Sequence, residues 1–121
     1  MSRAKGNKAR RRAIEMLEQD GFQVAIVERT GKFIKDKDMF GLFDLVAIQE
    51  YNLPLFIQVT CNKPHTHKKY FEFDKKYGKQ VQVLQLVWMD RKGFVNYIYN
   101  NNKFVKVPLY EINKARQKFK I

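Results

Sequence analysis

Cysteine occurs once in this 121-residue chain, at Cys61, so no intrachain disulfide can form and nothing points to an oxidising compartment. A lone thiol of this kind reads as a small core residue. Apolar runs are short: none reaches the roughly 18 residues that a membrane helix needs, so no membrane association is expected. The opening MSRAKGNKARRRAIEML lacks the apolar segment of a secretory signal, and a cytoplasmic protein, in cytosol or nucleoid, is expected. Internal repeats and low-complexity segments are absent. Acid is scarce, with 12 Asp and Glu against 24 Lys and Arg, and the resulting charge of +12 creates a field that attracts polyanions. Nucleic acid is the default partner. What is plentiful is apolar material: 45% hydrophobic residues with ten Phe and six Tyr, enough for one packed core in a single domain, 1–121.

Periodicity divides the chain into elements. Ala9, Ala13, Ile14 and Leu17 fall at spacings of three and four before Gly21, which predicts an amphipathic first helix with a glycine stop. FQVAIVE (22–28) predicts a strand, and RTGKFIKDKDMFG a basic loop hinged at Gly31 and Gly41. LFDLVAI (42–48) and LFIQVT (55–60) flank the turn-like QEYNLP and predict an antiparallel hairpin covered on both faces. THKKYFEFDKKYGK predicts a second helix with Tyr70, Phe71 and Phe73 or Tyr77 turned inward and Gly78 closing it. VQVLQLVWM (81–89) and GFVNYIYN (93–100) alternate like strands about the turn DRKG. KFVKVP offers a short edge strand that Pro108 ends, and YEINKARQKFK a closing helix. The predicted order is α-β-β-β-α-β-β-α, an α/β domain with a central mixed sheet flanked by helices.

Two polar groups interrupt the apolar hairpin: Asp44 and Gln58. Residues two apart on a strand project from one face, roughly 6.5 Å apart, so Gln58 and Thr60 share a face. If Asp44 points the same way, a carboxylate, an amide and a hydroxyl gather on one small area. Such a cluster among apolar neighbours is costly unless hydrogen-bonded or metal-bound, which favours a site. The structural alternative is that Asp44 pairs with a lysine or accepts backbone N–H bonds while Gln58 bonds an edge.

At these residues the chain resembles the PD-(D/E)XK nuclease superfamily, especially the archaeal Holliday-junction resolvases. FDLVAI is similar to the family's Asp-bearing second strand, and IQVT stands at its E-x-K strand. KGNKARRRAIEMLEQDGFQV resembles the resolvase opening, and RTG (29–31) places Thr30 near the resolvases' small hydroxyl residue. The resemblance implies a restriction-endonuclease-like core and a divalent-metal-dependent DNA endonuclease that hydrolyses phosphodiester bonds as a homodimer. Its metal would be Mg²⁺ or Mn²⁺. Asp44 and Gln58 would be the metal ligands, and Asp44, Gln58 and Thr60 the catalytic positions. The departures are Gln58 for the family's acid, Thr60 for its lysine, and Arg10 at the first helix's acid. With one negative charge where the family supplies two or three, the metal would be weakly bound, and DNA phosphates would complete the site. Lys63 or Lys68, with Lys69, are candidates to replace the lysine, and Glu28 and Asp38 are the best-placed auxiliary acids.

Cys61, His65 and His67 invite a zinc reading, but no second pair of ligands accompanies them. His65 and His67 are read instead as a helix start facing phosphate, or as a solvated end. Arg10, Arg11 and Arg12 on the first helix and Lys32, Lys35 and Lys37 in the loop are candidates for phosphate contacts, which give affinity without reading sequence. Branched or duplex DNA is the expected partner. Trp88, Phe94, Tyr97 and Tyr99 can stack on bases, but their alternation in apolar strands points to core or dimer interface. The competing reading is a catalytically inactive DNA-binding protein on a degenerate nuclease scaffold. A third is an RNA-binding protein, because charge alone does not separate the polymers.

Overall fold

Ala9, Ala13 and Leu17 recur every fourth residue, which places them one above another on a helix. In the computed structural model, which describes residues 3–27, 42–50, 53–66, 68–100 and 103–107, that helix is α1 (Arg3–Gln19), and the three side chains are buried on the sheet. Its end follows from Gly21, whose φ of 90° lies in the left-handed region that side chains avoid. The Gly21 N–H donates to the Glu18 carbonyl and the Phe22 N–H to the Leu17 carbonyl, a Schellman stop. Phe22 and Leu17 are both buried, so the same turn closes the core.

Six strands follow in two groups separated by a second helix: β1 (Gln23–Ile26), β2 (Leu45–Ile48), β3 (Leu55–Cys61), α2 (Lys68–Tyr77), β4 (Gln82–Met89), β5 (Gly93–Asn100) and β6 (Lys103–Val107). They form one sheet in sequence order, β1-β2-β3-β4-β5-β6. Every neighbouring pair is antiparallel except β3 and β4, which run parallel because α2 carries the chain back across the sheet. The expected hairpin of β2 and β3 is present, and so is the edge strand β6. The expected closing helix lies outside the described residues. No helix among the described residues is long and apolar enough to cross a membrane.

The two sheet faces bury different cores. On one, α1 packs over Leu45, Leu55, Ile57, Leu84, Leu86 and Ile98. On the other, Tyr70 and Phe73 of α2 pack with Phe43, Val83 and Tyr99. Phe71, expected to turn inward, is 39% exposed, because the inward face of α2 is set by Tyr70 and Phe73, three residues apart; Tyr77 packs its ring 5.0 Å from that of Phe73 and is 50% exposed as the last residue of the helix. Strand alternation then places Phe56, Gln58, Thr60, Gln85, Tyr97 and Tyr99 on the α2 side.

Candidate active site

Regular pairing of β2 begins only at Leu45, one residue past Asp44, where the chain bends. The Asp44 N–H donates to the Ile57 carbonyl at 2.9 Å and its carbonyl accepts from the Val27 N–H at 3.0 Å, so its backbone ties the β1 side to β3. Its side chain is 7% exposed, and Oδ1 accepts the Val59 N–H at 3.1 Å. Gln58, 9% exposed, donates through Nε2 to the Val59 carbonyl at 3.4 Å. Asp44 and Gln58 therefore converge on the backbone of a single residue, Val59. The backbone bond to Asp44 is the kind the structural alternative anticipated, and it also fixes the carboxylate beside the amide.

Thr60 is buried and turns toward the exit of β3, where its hydroxyl donates to the Lys63 carbonyl at 3.0 Å. Asn62, with φ of 65°, makes the bend between them. Its N–H donates to the Trp88 carbonyl at 2.8 Å, and its side chain exchanges two bonds of 3.2 Å with Asp90, donating to Oδ2 and accepting the Asp90 N–H. Lys63 and His65 are exposed on this turn, and Lys68 is exposed at the first position of α2. Lys63 is thus joined to Thr60 through its backbone, with its ammonium in solvent.

Gln85 is the residue that sequence reasoning passed over. It is fully buried on β4, in register with Gln58, and it holds the His65 peptide from both ends. Its Oε1 accepts the His65 N–H at 2.5 Å and its Nε2 donates to the His65 carbonyl at 2.9 Å. The carboxamide imitates a strand edge and pins the loop onto the sheet face. The available signal was a glutamine inside an apolar β-strand run, the same signal that singled out Gln58.

On α1, Arg10 donates to Asn7 Oδ1 at 2.8 Å, Arg11 is exposed, and the Arg12 guanidinium lies 4.3 Å from the Trp88 ring centroid. Trp88 and Phe94 belong to the α1 side, whereas Tyr97 and Tyr99 lie on the α2 side, so the four aromatic candidates divide between the two faces. Glu28, Thr30, Lys32, Lys35, Lys37, Asp38 and His67 lie outside the described residues.

Among the described residues no three His, Cys, Asp or Glu side chains converge as a metal cluster. Cys61 is half-buried and His65 exposed, which gives the zinc reading no ligand set among those residues. Magnesium is less demanding, because it commonly keeps several waters and takes one or two carboxylates together with substrate phosphates. Asp44, flanked by the Gln58 amide and the Val59 carbonyl, fits that pattern.

No family model matches this chain, and no curated protein matches it. A solved structure does: Hjc of Archaeoglobus fulgidus, a Holliday junction resolvase from an archaeal hyperthermophile, with a TM-score of 0.58 and 15% sequence identity. The likeness covers 91% of this chain and 96% of that one. The chain has the fold of that structure. The overlap extends over nearly the whole of both chains. At 15% identity it speaks to architecture, and the site must be argued from its own residues.

Proposed function

We propose that this chain is a DNA endonuclease of the PD-(D/E)XK, Holliday-junction-resolvase type. It would hydrolyse phosphodiester bonds in branched or duplex DNA as a homodimer, with Mg²⁺ or Mn²⁺ held weakly. One observation carries the reading: the buried Asp44 carboxylate is fixed on the β3 backbone, beside Gln58, in a chain with the resolvase fold. A carboxylate withdrawn from water inside a chain of charge +12 is expensive to keep unless its charge is used or fully satisfied.

Asp44 would supply the negative charge of the site, oriented by the Val59 N–H. The Val59 carbonyl would add a neutral oxygen, and Gln58, whose Nε2 donates to that carbonyl, would add its own oxygen by turning its amide over. Together these three would hold a divalent cation, whose chemistry is to polarise the phosphate and lower the pKa of an attacking water. Thr60 carries no charge and instead anchors the Lys63 turn. The Lys63 ammonium is then the nearest replacement, along the chain, for the lysine that the motif lacks, with Lys68 as the next. Basic residues of α1 and of the 29–41 segment would neutralise flanking phosphates without reading sequence.

A second reading has its own support. Asp44 and Gln58 are bonded to the Val59 backbone and Thr60 to that of Lys63, as expected of structural residues in a DNA-binding protein that does not cut. Asp44→Asn separates the two readings, because asparagine keeps an acceptor for the Val59 N–H while removing the charge. Four-way junction, duplex and single-stranded DNA are incubated with Mg²⁺ or Mn²⁺. The endonuclease reading expects metal-dependent cleavage that falls at least about 100-fold in the variant, the upper end of what outer-shell metal partners contribute. Salt-sensitive binding with no cleavage by either protein would give the scaffold to the binding reading.

A further inference from the structure

The sheet face that carries Gln58 and Gln85 continues into a cleft of about 400 Å³. Gln58, Gln85 and Tyr97 stand in register across β3, β4 and β5, so Tyr97 lies roughly two strand spacings, about 10 Å, from Gln58. Phe71, Tyr97, Tyr99 and Phe104 line the cleft, and Lys68 and Lys103 are its charged residues. Among the described residues, none of those lining it is acidic.

The rings differ in how firmly they are held. Phe104 stands edge-on to Tyr99 at 4.9 Å and to Tyr70 at 5.3 Å, so it belongs to a packed aromatic cluster. Tyr97 is half-buried, and Phe71 is 39% exposed on α2. An apolar ring presented to water beside a half-open phenol and two ammonium groups is the chemistry of a stacking platform on a polyanion track. Burial, and then the Asp74 charge, raise the pKa of Tyr99 above its ordinary 10.0.

We propose that this cleft takes an unpaired nucleobase, stacked on Tyr97 and Phe71, with the flanking phosphates on Lys68 and Lys103. The proposal rests on the DNA reading above and deepens it: the substrate carries a single-stranded segment beside its duplex. Stacking of this kind tolerates any base, because every base offers a π-face. The cleft and Gln58 lie on one sheet face with the His65 loop, held by Gln85, between them, so a strand running from one to the other would cross over that loop.

The probes are a duplex with a short single-stranded tail bearing 2-aminopurine and a blunt duplex of equal length, without metal so that nothing is cut. The tailed duplex is expected to bind about tenfold tighter, the worth of one base–aromatic stack, with its fluorescence quenched. Tyr97→Leu and Phe71→Ala abolish that preference and leave blunt-duplex binding unchanged, whereas Tyr97→Phe, which keeps the ring, retains it. Lys103→Ala weakens tailed binding and lowers its salt slope by about 1. Unquenched tails bound equally by wild type and Tyr97→Leu, with the duplex still bound, overturn the cleft and leave the DNA reading standing. If neither DNA binds, both fail. A changed sedimentation coefficient in Phe71→Ala together with unquenched tails assigns the cleft to a second copy of the chain and overturns the proposal.

Discussion

The two faces of the sheet are built from different chemistry. Under α1 the buried set is almost wholly aliphatic, with Leu45, Ile57, Leu84, Leu86 and Ile98 closing against Ala9, Ala13 and Leu17. Under α2 the core is aromatic, with Phe43 meeting Phe56, Tyr70 and Phe73 at ring separations of 5.5, 6.1 and 5.0 Å. That face also takes in Gln58, Thr60 and Gln85, each bonded to backbone. Small alanines let α1 lie close on β3. The bulkier α2 side leaves polar ground between its rings, and both the candidate active site and the aromatic cleft lie there. Both faces bury a core, and the α2 face alone combines it with the candidate site residues Gln58 and Thr60.

The sharpest way to break this division is to damage the aliphatic face and ask whether only stability suffers. Leu86 is fully buried at the centre of that face, so Leu86→Ala should cost about 2–5 kcal/mol, read by equilibrium denaturation. DNA binding by the fraction that remains folded should be unchanged. Loss of binding by folded protein would mean that the faces are not separable. A smaller effect is expected on the other side. Gln85→Leu removes both bonds to the His65 peptide and should cost about 1–3 kcal/mol, the penalty for polar groups left without their partner. Its signature is local: the His65 amide should exchange with solvent faster while amides of β4 and α1 keep their protection. Uniform loss of protection would show that Gln85 belongs to the global core and not to the placement of one loop.

Much of this division was legible in the sequence. The period of Ala9, Ala13 and Leu17, the stop at Gly21 and the alternation of 82–89 located α1 and the central strands, because hydrophobic spacing and glycine conformation are local properties. Asp44 and Gln58 were legible as polar exceptions, and the structure brings them together on the backbone of Val59. What spacing could not supply was the parallel pairing of β3 with β4, which sets Gln58 beside Gln85 across 27 residues of sequence. The role of Gln85 and the aromatic cleft both depend on that long-range register. Phe71 was misplaced for a related reason. Tyr70, Phe71 and Phe73 are all aromatic, and only the docking of α2 on Phe43 and Val83 decides which of them faces in.

The mildest test concerns Tyr99, where the aromatic face meets charge. Its phenol is buried and lies in the field of Asp74, and both effects raise its pKa above the ordinary 10.0, burial more than the carboxylate. A group whose folded pKa is raised binds its proton more tightly in the folded state than in the unfolded one. Its contribution to stability is therefore complete below the unfolded value and is lost as pH climbs through the folded value. Tyr99→Phe should match the wild type in pH dependence from neutral pH up to about 9, then lose less stability above 10.0, where the wild-type phenol is forced to ionise in a poorly solvated place. Denaturation midpoints across that range give the comparison directly. Parallel curves for the two proteins above pH 10 would show that the phenol reaches water, and that this wall of the cleft is wetter than its aromatic neighbours suggest.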